Sequence, residues 1–203
     1  MKLIPSARTL VFTFAVTVFS SCSWGAVLSF DPSNQSANVG SDVVVDLVIS
    51  GLGNGISPAL AGFSGMQIGF DTSILQPVSA AFTNRLGDIG DPSAVVYSVN
   101  TFFPGVILLD QVSLLDPTTL FGLQASPTGS FVLATLKFNA IGGGTSALTI
   151  DPGVLSDELG NQISATAQNG SVTVRANGPI VPEPSTWLLL ASGFGAFVVY
   201  RRR

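Results

Sequence analysis

Residues 42–50 read Asp42-Val43-Val44-Val45-Asp46-Leu47-Val48-Ile49-Ser50. Val43, Val45, Leu47 and Ile49 fall on one side of an extended chain. Asp42, Asp46 and Ser50 fall on the other, with Val44 and Val48 between them. Side chains that alternate in this way mark a strand with one buried face. The pattern recurs at residues 66–71, where Met66, Ile68 and Phe70 oppose Gln67 and Asp71. It recurs again at residues 131–140, where Val132, Ala134, Leu136, Phe138 and Ala140 form a row against Thr135, Lys137 and Asn139. Residues 95–99, 106–115, 148–150 and 172–174 are further strand candidates, and no helix-period segment stands out.

The intervening residues are turn formers. Gly142-Gly143-Gly144 joins the strand at Phe131 to the one at Leu148. Asn169-Gly170 precedes the strand at Val172, and residues 157–161 (DELGN) read as another turn. These connections predict antiparallel pairing. Many short strands with Gly- and Asn-rich turns indicate an all-β chain, a β-sandwich of the jelly-roll kind.

The chain has 203 residues, 46% hydrophobic and 10% charged, with a formal net charge of −4. Its pI is about 4.4 and its mean hydropathy +0.53. It has no histidine and one cysteine, Cys22. A histidine triad or histidine base is therefore impossible. An internal disulfide framework is excluded, and so are the common zinc sites. The charge balance argues against nucleic-acid binding by a basic patch.

Both ends read as addresses. Lys2 and Arg8 precede an uncharged run at residues 9–19 (TLVFTFAVTVF), and small residues crowd residues 20–26 (SSCSWGA). That is the order of a secretory signal peptide, assigned to residues 1–26. Two readings of Cys22 present themselves. It matches a lipid-attachment cysteine poorly, with Phe19 three residues before it, and is read as discarded with the leader. At the other end, Val181-Pro182-Glu183-Pro184 follows a linker beginning at residue 177. Residues 187–200 (WLLLASGFGAFVVY) are apolar, and Arg201, Arg202 and Arg203 end the chain. A helix over those 14 residues reaches roughly 21 Å, short of the ~30 Å hydrocarbon core. The arginines would stay cytoplasmic and act as a membrane stop, leaving the domain outside.

This C-terminal segment resembles a PEP-CTERM sorting tail, with Val181, Pro182, Glu183 and Pro184 as the motif and residues 185–203 as membrane helix and arginine cluster. The resemblance implies recognition by an exosortase in a Gram-negative bacterium that makes exopolysaccharide. It also implies export across the inner membrane and a transient or permanent membrane anchor. The destination is the cell surface or extracellular matrix.

Between the addresses, residues 27–176 hold three basic and eleven acidic side chains. The run Val27-Leu28-Ser29-Phe30-Asp31-Pro32 opens this region, and residues 39–49 (VGSDVVVDLVI) follow. Next come residues 62–71 (GFSGMQIGFD), 129–138 (GSFVLATLKF), 144–150 (GTSALTI) and 170–174 (GSVTV). Their order is similar to that of cohesin-like domains. The resemblance implies a jelly-roll sandwich of about nine strands, related to carbohydrate-binding folds. No binding residues carry across, because no invariant motif marks the dockerin-contacting face of cohesins.

The carboxylates offer little catalysis. A glycosidase needs two acids flanking a bond, and Asp157 with Glu158 is the one adjacent pair, in a turn. Asp42 with Asp46, or Asp88 with Asp91, could contribute to a calcium site; exposed strand and loop positions are the simpler reading. Phe102 and Phe103 stand beside a turn, but phenylalanine usually joins a core. The expected function is a non-catalytic, surface-sorted module that binds an extracellular protein or serves a structural role. The alternative is an exopolysaccharide-binding module. No cofactor is expected; calcium is the one ion these acids could take.

Overall fold

A computed structural model describes residues 25–176 except residue 102. The sorting motif (Val181 to Pro184), the arginines at 201–203, and the expected leader and C-terminal helix lie outside the described residues.

The strands are β1 (Ala26–Asp31), β2 (Asn34–Asn38), β3 (Asp42–Ser50), β4 (Leu60–Gly69), β5 (Leu75–Phe82), β6 (Val95–Asn100) and β7 (Val106–Ser113). After helix α1 (Pro117–Gln124) come β8 (Ser130–Ala140), β9 (Gly144–Asp151), β10 (Val154–Asp157), β11 (Gln162–Ile163), β12 (Ala165–Gln168) and β13 (Gly170–Arg175). One sheet has the order β12-β1-β3-β8-β5. The other runs β11-β10-β4-β9-β13-β2, with β7 on the free side of β4 and β6 beyond it. The all-β sandwich expected from the sequence is thus present. It is divided into thirteen segments, because the chain crosses between sheets at Pro32 and at Asn169 and because β11 has only two residues.

The alternating rows form the core. Val43, Val45, Leu47 and Ile49 are buried, as are Met66 and Ile68. Phe70 lies just past β4 and packs edge-to-face on Phe138 at 5.3 Å. The row expected on β8 needs correction. Val132 is only half-buried, whereas Phe131 and Leu133 are buried. Leu47 pairs with Ala134 but Val48 pairs with Val132. Leu133 is the extra residue of a β-bulge, which shifts the alternation by one.

Two connections also differ from expectation. Gly142-Gly143-Gly144 and Asn169-Gly170 do not close hairpins, since β8 and β9, and likewise β12 and β13, belong to different sheets. The glycines answer to crowding at a corner. A Cβ on Gly142 would overlap the Ser73 carbonyl oxygen, and one on Gly143 would lie 2.9 Å from the Ala176 Cβ. Asn169 Oδ1 instead accepts from the Ile150 amide at 3.1 Å. The turn at residues 157–161 does join an antiparallel pair, β10 and β11.

Helix α1 was not legible as a periodic segment, because it buries only Leu120 and Gln124. Its start is locally encoded. Asp116 caps the Thr118 and Thr119 amides, with Pro117 in the first turn. Its end reaches the sandwich through Gln124, whose Oε1 accepts from the Leu60 amide at 2.8 Å. Gln124 Nε2 donates to the Leu60 carbonyl at 2.6 Å. A side-chain amide here completes the pairing of β4 in place of a neighbouring strand. Arg85 ties the same helix down, donating to the Leu123 carbonyl at 2.6 Å above the Phe131 ring.

Candidate interaction surface

The outward face of the larger sheet, across β6, β7, β4 and β10, carries three cross-strand rows. The first is Val96, Val112, Gly62 and Ser156. In the second, Ser98 and Asp110 meet the Ser64–Gly65 bulge, with Val154 opposite Ser64. The third is Asn100, Leu108, Gln67 and, through β9, Asp151. Val96, Val112 and Val154 are 56%, 47% and 56% exposed. Gly62 belongs to this arrangement: a Cβ there would press on Val112 Cγ2 at 3.2 Å, so its absence lets the valine lie against the sheet.

Asp110 sits in the middle of these rows. The bulge between Phe63 and Met66 turns the Gly65 amide toward it, at a backbone φ of +70° that suits glycine. Asp110 Oδ1 accepts from the Gly65 N–H at 2.7 Å and from Ser64 Oγ at 3.0 Å. Its Oδ2 accepts from Ser98 Oγ at 3.2 Å. The Gly65 N–H is the main reason its carboxyl is held below the usual range; the two hydroxyls add to it and partial burial opposes it. The result is an ionised carboxylate fixed on a sheet, with exposed Val96 and Val112 in the next row. Asp110 was not singled out from the sequence. The signal was Gly65 in the interior of strand β4, a position that often marks a bulge.

The sequence-selected acids lie elsewhere and apart. Asp42 forms an ion pair with Lys137 at 2.8 Å, and Asp46 accepts from Thr135 Oγ1 at 2.6 Å. Asp71 and Asp91 cap Ser73 and Ser93, and Asp88 accepts from the Gly90 amide. Asp157 binds the Leu159 and Asn161 amides, while its neighbour Glu158 reaches away to the Ala59 amide at 2.8 Å. The pair flanks no common site. Among the described residues no three acid, histidine or cysteine side chains cluster as metal ligands. The exposed aromatic rings among the described residues are Tyr97 and Phe103, and Tyr97 is engaged edge-to-face by Phe82 at 5.5 Å.

Residues 181–203 match the PEP-CTERM protein-sorting motif. Solved cohesins share the fold. The solution structure of CaCohA2 from Clostridium acetobutylicum is 28% identical, with 75% of this chain and 92% of that one covered and a TM-score of 0.55. The seventh ScaB type I cohesin of Pseudobacteroides cellulosolvens is 18% identical, covering 77% and 96%, with a TM-score of 0.59. The cohesin module of a Clostridium perfringens family 33 glycoside hydrolase is 12% identical, covering 75% and 97%, at 0.54. No curated protein matches the sequence.

Proposed function

We propose that this chain is an exosortase-sorted protein of the cell surface or extracellular matrix whose cohesin-like sandwich is a non-catalytic protein-interaction module. In this reading residues 1–26 are the leader and residues 27–176 the module. Residues 177–184 form the linker with the Pro-Glu-Pro motif, and residues 185–203 are the membrane helix and arginine stop. The observation that carries the interaction reading is the outward sheet face, where exposed Val96 and Val112 occupy the row beside the fixed Asp110 carboxylate and exposed Val154 lies two strands away. Apolar groups beside a fixed, partly buried charge suit a protein partner presenting a basic or N–H donor group between apolar side chains. Solved cohesins include complexes with dockerins, and a protein partner of some kind is the corresponding expectation here. A sugar platform draws less support, because among the described residues the exposed rings are Tyr97 and Phe103 and Tyr97 is already packed.

Two arms test the reading. Replacing Pro182, Glu183 and Pro184 by alanine should leave the chain uncleaved in the membrane; unchanged processing refutes the sorting role. The wild-type module should capture one defined protein from its own culture, and Val112→Lys and Asp110→Asn should each abolish that capture. Reproducible binding to a purified exopolysaccharide, insensitive to both substitutions, would replace the protein reading with the carbohydrate one.

A further inference from the structure

Sheet edges are places where a second chain can add a strand, and folded proteins commonly blunt them. Most edges here are blunted. Strand β11 has two residues and β12 four. Strand β2 is NQSAN, short and polar. Strand β5 carries Pro77, with a register shift between Pro77 and Ser79. Strand β6 is different. It reads VVYSVN, has β7 as its one sheet neighbour, and contains neither proline nor charge. Tyr97 and Val99, which share the inward side with Leu109 and Gln111, stay 46% and 36% exposed at this margin.

Charge decides what fits there. Residues 27–176 carry eleven acids against three bases, yet residues 92–109 contain no charged side chain. In an acidic domain this stretch forms a margin that a second acidic domain can approach without setting carboxylates against one another. We infer that β6 pairs with β6 of a second copy of this chain, antiparallel about a two-fold axis at Ser98, joining the two larger sheets into one. The axis must pass through a residue, because opposed side chains have to share a face. Placed at Ser98, it sets Tyr97 of each copy opposite Val99 of the other, an aromatic–β-branched pair formed twice. It also lines up the nearest in-sheet carboxylates, Asp110 of each copy. They stand three strand spacings apart, about 14 Å, beyond the roughly 8 Å screening length at physiological salt. The pairing uses the backbone edge of β6, whereas the partner reading uses the side chains on its outward face, so concentration-dependent β6 exchange and partner capture report on the two separately.

The test uses the full chain in mild detergent, with Cys22→Ser so that an introduced thiol stands alone. Under mild oxidation at micromolar concentration, Ser98→Cys should become a disulfide-linked dimer in most chains, because the paired Cα atoms fall within bridging distance. Ser36→Cys on β2 and Ser79→Cys on β5 should stay largely monomeric. Adding Val99→Lys should cut the Ser98→Cys yield about tenfold. On the unmodified chain, hydrogen exchange of the β6 amides should slow as concentration rises from below 1 to about 100 μM. Ser98→Cys cross-linking no better than the two controls overturns the inference. So does a yield indifferent to the lysine, or β6 exchange independent of concentration.

Discussion

Gln124→Ala should be among the most damaging single changes outside the apolar core. The Gln124 side chain is buried and makes both a 2.8 Å bond from the Leu60 amide and a 2.6 Å bond to the Leu60 carbonyl. Leu60 is itself fully buried, so neither backbone group regains water when the amide is removed. An unsatisfied buried group costs about 1–3 kcal/mol, and two are created. The expected loss is about 2–4 kcal/mol. For a chain of this size each kcal/mol moves Tm by about 2–4 °C, so a fall of roughly 4–16 °C is expected. Far-UV circular dichroism during thermal and urea unfolding reads it. Gln124→Met separates hydrogen bonding from volume: it refills the space but satisfies neither Leu60 group, and should cost nearly as much as alanine. A methionine variant within about 0.5 kcal/mol of wild type, the ordinary range for an inconsequential substitution, would show that the helix is held by packing and refute the reasoning.

Acid should destabilise the domain. The Ser73 hydroxyl lowers the Asp71 carboxyl and the Ser93 hydroxyl that of Asp91. The Gly65 amide does the same for Asp110, and the Thr119 hydroxyl for Asp116. At Asp157 burial pulls upward but is outweighed by Asn161 and the turn amides. A folded-state pKa below the unfolded value means that the unfolded chain takes up protons first. The stabilisation is therefore present above the ordinary carboxylate range, near 3.8, and is lost as pH falls through the depressed values. The urea midpoint should hold between pH 7 and 5 and drop below pH 4, and Asp110→Asn should flatten that drop; a midpoint rising on acidification contradicts the scheme. Gly142→Ala would drive a Cβ into the Ser73 carbonyl oxygen. It should lower stability by about 1–3 kcal/mol, seen as a shifted urea midpoint at unchanged m-value.

Much of the sandwich was legible because its rows obey a local rule. The alternation at residues 43–49 survives intact in β3, since a strand in the middle of a sheet has to bury one face. What escaped depended on partners distant in sequence. The bulge at Leu133 exists only in relation to Leu47 and Val48, so the β8 alternation looked continuous when read alone. The glycine run at 142–144 carried a true signal of close approach, yet nothing local says whether a tight connection closes a hairpin or crosses to the opposite sheet. Helix α1 lacks an apolar stripe because it contacts the sandwich at few points and is fixed by hydrogen bonds from Gln124 and Arg85. Composition and periodicity do not register such bonds.

The same contrast between local and distant partners sets the turn acids apart from Asp110. Asp71, Asp88, Asp91, Asp116, Asp151 and Asp157 each bind amides two to four residues ahead, the ordinary use of aspartate at a turn or helix start. Much of the acidic composition is thereby accounted for without metal or catalysis. Asp42, Asp46 and Glu158 also have distant partners, but Asp110 differs in being held by a β-bulge. Its partners Ser64 and Gly65 lie 46 and 45 residues away, and it stands within a strand, where aspartate is disfavoured. A turn gains a cap from its aspartate; a sheet gains nothing comparable from Asp110, because the bulge that satisfies it also interrupts the β4–β7 pairing. If the carboxylate served stability alone, Asp110→Asn would alter the unfolding midpoint and leave partner capture intact. Loss of capture in a variant that still unfolds cooperatively would assign the residue to binding.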